Sequence, residues 1–438
     1  MKARDLIPHV KNVTGIKVFG RVKRVVGLMI ESKGPSTFIG EMCWIHVKSN
    51  GIVKKIRAEV VGFKDDDVIL MPYQNIQDIA PGSLVEATGS TLEVKVGHAL
   101  KGKVLNSLGE PLDQSPLPIG LTSVPIDQDP PNPLSRPPIN ETLEVGIKAI
   151  DGLLTVGKGQ RLGIFAGSGV GKSTLMGMIA KNTSADINVI ALIGERGREV
   201  REFIERDLGP EGLARSIVIA ATSDQPALMR IKAAYTATAV AEYFRDRGLN
   251  VLFMMDSVTR IAMAQREVGL AIGEPPATKG YTPSVFAILP RLLERTGTNH
   301  LGSITSFYTV LVDGDDMNEP IADTVRGILD GHFVLDRNLA NKGQYPAINV
   351  LKSVSRLMNH LVDPAHSESA NKVREKLSAY LQSEDLINIG AYKKGSSKDI
   401  DDAIIMYPKI IEFLKQPTED KVPITTTTMR LQSLAQGG

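Results

Sequence analysis

Leu162-Gly163-Ile164-Phe165-Ala166-Gly167-Ser168-Gly169-Val170-Gly171-Lys172-Ser173-Thr174 is the stretch that decides the fold of this chain. An apolar run leads into a glycine-rich turn, and a helix-compatible run from Leu175 to Lys181 follows. Strand, glycine loop and helix in that order make a phosphate-binding loop. The glycines let backbone N–H groups close around a β-phosphate, and the helix N-terminus adds a favourable dipole. Lys172 is placed to meet the β- and γ-phosphates, and the Ser173 hydroxyl to ligate Mg²⁺. Residues Gly167, Ser168, Gly169, Val170, Gly171, Lys172, Ser173 and Thr174 are therefore the candidate nucleotide-binding set. The first position of the G-x-x-x-x-G-K-[ST] pattern is Ala166 rather than glycine.

Around this loop, apolar runs alternate with helical periodicity: Leu162 to Ala166, Val189 to Ile193, Ile217 to Ala220, Val251 to Met255 and Ile304 to Val312. Strands buried on both faces read this way, so a parallel sheet covered by helices on each side is expected. The run Val251 to Met255 ends in Asp256, at the carboxyl end of a buried strand, where open α/β sheets bind ligands. Asp256 suits the Mg²⁺-associated carboxylate of a phosphate-loop enzyme. Its blander alternative is a cap on the following helix. Val189 to Ile193 leads to Gly194-Glu195-Arg196, which puts Glu195 where it could orient an attacking water. Glu199, Arg201, Glu202, Glu205 and Arg206 read as a solvated helix face with i,i+4 pairs.

Ahead of the loop, short β-type segments (Ile16 to Ile30, Cys43 to Val47, Ile56 to Phe63, Val68 to Met71 and Leu84 to Val96) are separated by turns at Ser49-Asn50-Gly51 and Pro81-Gly82. That spacing suggests a small closed barrel over residues 1–105. From Pro111 to Pro138 the chain holds nine of its 25 prolines, and an extended proline-rich connector is expected over 106–142. A phosphate-loop domain should occupy 143–365. Ala370, Val373, Leu377 and Leu381 fall on one face of a helix, so 366–438 reads as a small helical domain. The fold class is thus α/β: an N-terminal β-barrel, a central parallel sheet with helices on both faces, and a C-terminal helical domain.

The 438 residues carry 51 Lys and Arg against 49 Asp and Glu, and so little excess charge removes the simplest electrostatic case for a nucleic-acid binder. Cys43 is the single cysteine, which excludes an intrachain disulfide and suits a small buried hydrophobe. An acid and a proline, Asp5 and Pro8, interrupt the stretch a signal peptide would need, and no apolar run approaches a membrane span. A cytoplasmic protein is expected, with membrane contact supplied by partners.

Four motifs carry a resemblance: the Ala-Gly-Ser-Gly-Val-Gly-Lys-Ser loop, Gly194-Glu195-Arg196-Gly197-Arg198-Glu199, Val312 through Asp323, and Gly343-Gln344-Tyr345-Pro346-Ala347-Ile348 through Ser353-Val354-Ser355-Arg356. In that order they resemble the flagellum-specific and type III secretion export ATPases, which are similar to the catalytic subunits of rotary ATP synthases. The likeness covers nearly the whole chain, including Pro130-Pro131-Asn132-Pro133-Leu134 in the connector. It implies Mg-ATP hydrolysis by a ring of identical copies, six in the family. That ring would energise flagellar or type III protein export and unfold export substrates or release them from chaperones. By resemblance Glu195 is the catalytic glutamate, Arg196 contacts the γ-phosphate, and Tyr345 packs on adenine. Arg356, on its own a surface charge, becomes an arginine finger reaching into a neighbouring copy's site. A stator-like regulatory protein at the N-terminus, a central stalk protein, the export gate, chaperones and export substrates are the implied partners, at the cytoplasmic face of the export apparatus. Family members often have a longer N-terminal tail; here Leu6 and Val10 could contribute to a stator contact, with Pro8 between them.

Two other readings share the loop. A rotary synthase catalytic subunit needs a non-catalytic partner, whereas Glu195 and Arg356 in one chain let identical copies complete every site. An RNA-translocating ring would hold single strands on a basic, aromatic N-terminal domain. Residues 1–97 carry only 14 Lys and Arg against 10 Asp and Glu, with Trp44 the chain's single tryptophan. A non-catalytic nucleotide-binding subunit is opposed by Glu195.

Overall fold

The computed structural model describes residues 18–49, 52–74, 78–312 and 316–436. The expectations placed on Ile16, the turn Asn50-Gly51, Asp313-Gly314-Asp315 and the N-terminal stator contact at Leu6 and Val10 lie outside the described residues.

Six strands, β1 (Phe19–Val26), β2 (Met29–Lys33), β3 (Met42–Ser49), β4 (Ile52–Lys64), β5 (Asp67–Pro72) and β6 (Leu84–Ala87), close into a barrel in the order β1-β2-β5-β4-β3-β6. Alternate side chains such as Cys43, Ile45 and Val47 point inward and fill it with Val22, Ile30, Val60, Leu70 and Val85. Cys43 is fully buried there, and burial pushes its thiol up to about 12. At Gly20 a side chain would collide with Gly34, since a Cβ would stand 1.9 Å from its carbonyl oxygen. The structure corrects two segment readings. Ile16 to Ile30 is a hairpin where described, turning at Gly27 with φ +57°, a conformation glycine adopts freely. Leu84 to Val96 divides: β6 ends at Ala87, while Glu93–Val96 leaves the barrel to pair with Thr122–Pro125 of the proline-rich segment.

The central sheet contains β7 (Val104–Leu105), β8 (Arg161–Ala166), β9 (Ile187–Ile193), β10 (Ser216–Ala221), β11 (Asn250–Asp256), β12 (Ser303–Leu311), β13 (Gly331–Leu335) and β14 (Val354–Ser355). They lie in the order β14-β13-β8-β12-β11-β9-β10-β7, with Gly297–Thr298 pairing onto β12. Every neighbouring pair from β13 to β7 is parallel, and β14 closes the edge antiparallel. Successive residues of one strand enter different cores: Val189, Ala191 and Ile193 pack on one side of the sheet, Ile190 and Leu192 on the other. This is why the strands read as unbroken apolar runs. Three of the covering helices are α1 (Lys172–Asn182), α2 (Ala227–Arg245) and α3 (Val258–Ala271).

The proline-rich segment is tied to the central domain at particular points. Arg295, fully buried against Glu242, donates to Ile126 O at 2.8 Å, and Arg136 donates to Thr296 O at 2.7 Å. The C-terminal helices α4 (Pro364–Asn388), α5 (Lys398–Leu414) and α6 (Ile424–Ala435) pack on the short helix Lys148–Leu153. His366 Nε2 hydrogen-bonds Gly152 O at 2.8 Å, and Arg374 donates to Leu153 O. Ala370, Val373 and Leu377 are buried as their spacing requires, but Leu381 is 38% exposed, lining a small open cavity with Leu377, Tyr407, Ile411 and Leu414. No helix among the described residues is long and apolar enough to cross a membrane.

Candidate active site

Three chain segments that end at the same edge of the sheet supply the site. β8 stops at Ala166, the glycine loop follows, and Gly169 and Gly171 take φ of +76° and +87°, where a Cβ would be strained. Gly171 caps α1 without any side-chain hydrogen bond, so the first N–H groups of the helix are left for an anion. The loop floors a cleft of ≈ 690 Å³ lined also by Lys172, Ser173, Thr174, Glu195, Arg196 and Arg260. Val170 is the exception in the predicted set: its side chain is buried at 1% exposure in the core, which leaves only its backbone for the loop.

Lys172 Nζ stands 2.5 Å from Asp256 Oδ1 and 3.6 Å from Glu195 Oε1. Burial opposes its charge, yet the two carboxylates outweigh burial and hold its pKa above the ordinary lysine value. Asp256 is the last residue of β11, and Thr309 on the neighbouring β12 donates to the same Oδ1 at 2.6 Å. The capping alternative for Asp256 falls to its neighbour instead: Ser257 is the N-cap of α3, accepting from Arg260 N at 3.4 Å.

Glu195 follows β9 by two residues, and its Oε1 is buried without a hydrogen-bond partner. Burial first, and then the Asp256 charge, raise its pKa to about 7, with Lys172 opposing. Ser173, Glu195 and Asp256 share a small adjoining cavity with Phe203. Thr174 Oγ1 donates to Asp207 at 3.4 Å, and both line the cleft. Tyr345 arrives from the segment between β13 and β14; a Cβ at Gly171 would touch its ring at 3.5 Å, so the ring lies over the glycine loop while remaining 48% exposed. Arg196 is at the cleft mouth, exposed, 3.7 Å from Glu199.

Over 434 residues the chain is 67% identical to the flagellum-specific ATP synthase of Bacillus subtilis (strain 168), covering 99% of each. It belongs to the flagellar and type III secretion ATPases. Three family descriptions match in sequence order: the ATP synthase alpha/beta family β-barrel domain over 22–89, the nucleotide-binding domain of that family over 146–355, and the T3SS EscN ATPase C-terminal domain over 362–433. The type 3 secretion system ATPase of Xanthomonas euvesicatoria is 50% identical over 416 residues, 95% of this chain and 94% of that one. Among solved structures, the assembled ATPase EscN from the enteropathogenic E. coli type III secretion system superposes with a TM-score of 0.89 at 43% identity, covering 95% of this chain and 100% of that one. The chain is an export ATPase, and the synthase-subunit and RNA-translocase readings give way to it.

Besides Val170, whose side chain is in the core, Arg356 is a predicted site residue that the ATPase does not bring to its own cleft. It follows the edge strand β14, is exposed, and bonds Asp330 O and Arg326 O through its backbone N–H and guanidinium at 3.1 and 3.4 Å. Ser355 pairs with Gly331 at the start of β13, whereas Ala166, where the glycine loop begins, aligns with Leu335 at its other end. Arg356 and the loop therefore occupy opposite edges of the sheet.

Sequence reasoning missed Arg260. It lies one turn into α3, against Gly194, and its Nε is buried with no partner while NH1 reaches only Met263 Sδ at 3.9 Å. Its charge also acts on Glu195 to lower the carboxyl pKa. No spacing rule announces it, because one arginine on a helix is ordinary. The helix after Glu195 also departs from the expectation of a purely solvated face. The pairs Arg201–Glu205 and Arg206–Glu202 form at 2.7 and 3.1 Å, but Glu199, Glu202 and Arg206 also line the cleft.

Proposed function

We propose that this ATPase energises flagellar protein export as a ring of identical subunits, each site built from one copy's cleft and Arg356 of the neighbouring copy. The observation that carries this reading is Lys172 held between Asp256 and Glu195 at the uncapped start of α1. In that position the ammonium meets the β- and γ-phosphates, whose oxygens take over from the carboxylates. Glu195 orients the attacking water and accepts its proton, with a pKa already moved toward neutrality. Arg196 and Arg260 at the cleft supply positive charge where the γ-phosphoryl group leaves. Tyr345 stacks on the base. Arg356 cannot reach its own loop from the far edge of the sheet, which supports service in trans.

The donor set fits Mg²⁺. The Ser173 hydroxyl and Asp256 carboxylate are hard oxygens facing one small cavity. Among the described residues no group of three or more His, Cys, Asp and Glu gathers to cage a metal, which suits an ion completed by phosphates and water. Ser173 and Asp256 would hold Mg²⁺ there, and the ion would supply positive charge against the phosphate charge that develops during hydrolysis.

The solved EscN complex with its central stalk EscO, at a TM-score of 0.88, supports a central stalk partner for this ring. A stator-like protein, the export gate, chaperones and export substrates at the cytoplasmic face of the membrane complete the proposed setting. The decisive experiment places Lys172→Ala in the native chromosome. Swimming and flagellar export should disappear together with Mg-dependent hydrolysis by the purified protein. Intact motility beside lost secretion through an injectisome would reassign the ATPase to that machine.

A further inference from the structure

We infer that Gln416 is a positioning residue for nucleotide binding: its buried side-chain amide fixes the C-terminal domain, and its backbone N–H, held in place by that anchor, fixes the backbone of Tyr345. The inference rests on the reading of Tyr345 as the base-stacking residue. Gln416 lies just beyond α5 and is 3% exposed. Its Oε1 accepts from Lys148 N at 2.9 Å, and its Nε2 donates to Gly146 O at 2.8 Å and to Asp420 O at 2.9 Å. Both amide hydrogens and the carbonyl are thus engaged at good distances. Its own backbone N–H then donates to Tyr345 O at 2.9 Å.

The anchor points are closely packed. Gly146 has φ +71° and lies so close to Asn182, the last residue of α1, that a Cβ would stand 2.7 Å from it. Asn182 Nδ2 reaches Asp420 O at 3.3 Å, so the end of the glycine-loop helix joins the same knot. Tyr345, by contrast, is half exposed, with its ring beside Gly171. Its backbone carbonyl accepts from the backbone N–H of Gln416, whose position is set by the anchored side-chain amide. A second tie from the C-terminal domain, Lys342–Glu384 at 3.0 Å, is more exposed, with side chains 55% and 28% accessible, and contributes less.

The test uses the full-length protein and steady-state ATP hydrolysis by the wild type, Gln416→Leu, Gln416→Asn, Tyr345→Ala and the double variant Tyr345→Ala/Gln416→Leu. Gln416→Leu keeps the bulk and removes the hydrogen bonds. Gln416→Asn keeps the amide one methylene short and covers the case in which leucine is not folded. Gln416→Leu should raise KM for ATP about tenfold with kcat within about twofold, the size expected for one or two lost hydrogen bonds felt in binding. Gln416→Asn should move KM the same way by less. The double variant should be no worse than Tyr345→Ala alone, since both act through one ring. KM values unchanged in both Gln416 variants while Tyr345→Ala raises it would overturn the inference. So would additive effects in the double variant, or a lower melting temperature and kcat with KM unmoved. A silent Tyr345→Ala beside raised KM in the Gln416 variants would overturn the stacking reading and with it the route through Tyr345.

Discussion

Lys172 Nζ and Asp256 Oδ1 form an ion pair at 2.5 Å between the first residue of α1 and the last residue of β11, and Glu195 adds a second carboxylate at 3.6 Å. One cation thus stands between two acids, with side chains only 13%, 5% and 16% exposed. Breaking a buried pair by removing one partner costs roughly 3–5 kcal/mol, because the other charge stays buried. Lys172→Met should therefore lose stability as well as hydrolysis. Chemical denaturation at pH 8 is the check, and a midpoint equal to that of wild type would contradict it.

Glu195→Gln should retain Mg-ATP binding and lose about 10²–10⁴ in turnover, since the amide keeps the shape and loses the proton acceptor. In the wild type the acid limb of kcat/KM should fall near the pKa of about 7 that burial and Asp256 impose. Below it Glu195 is protonated and hydrolysis declines. A profile flat from pH 5.5 to 8 would exclude Glu195 as the ionising group, as would nucleotide affinity falling in step with activity in Glu195→Gln.

Asp151 is fully buried and accepts from Val145 N and Gly146 N at 3.1 and 2.8 Å. Burial nevertheless dominates and raises its pKa to about 7. A raised carboxyl pKa means the folded state keeps a proton that the unfolded chain releases from about pH 4 upward, so stability declines as pH rises from ~4 to ~7 by up to about 1.4 kcal/mol per unit. Asp151→Asn should flatten this dependence. Urea midpoints at pH 5 and pH 8 measure it, and an unchanged difference between them would refute the assignment.

Arg356→Ala alone should lose about 10³-fold or more in rate if it acts as an arginine finger. Glu195→Ala alone should also be inactive. Mixing the two under subunit exchange creates interfaces that hold one intact Glu195 and one intact Arg356, and partial activity should return. Arg356→Ala mixed with wild type controls for obligatory cooperativity. If that control declines only in proportion to the mutant fraction while the double mixture stays dead, Arg356 does not act in trans.

Gly167 to Thr174, the acid ending β11 and the apolar runs of the sheet were legible because their information is local. A glycine loop, a helix start and a strand buried on both faces each impose a pattern within about ten residues. Glu195 and Asp256 were legible for the same reason, as charges ending apolar strands. Tyr345, Arg196 and Arg356 needed the family resemblance, because no short pattern marks an aromatic over a distant loop or a surface arginine at a sheet edge. The fold alone placed Arg260 in the cleft with Glu195, its Nε buried without a hydrogen-bond partner, set Thr309 on Asp256 and exposed Leu381. Gln416 shows the limit most plainly, because it meets Lys148 across 268 positions and Gly146 across 270. Its sequence neighbourhood, Lys415-Gln416-Pro417, is that of any helix end. Local pattern sufficed for the central strands, the glycine loop and its helix; where the barrel segments divide, and which side chains meet across the fold, was set by strand pairing, the sheet order and the docking of the C-terminal helices. Hydrogen bonds between residues so far apart in sequence exist only once the chain entropy of closing those loops has been overcome by the packed core.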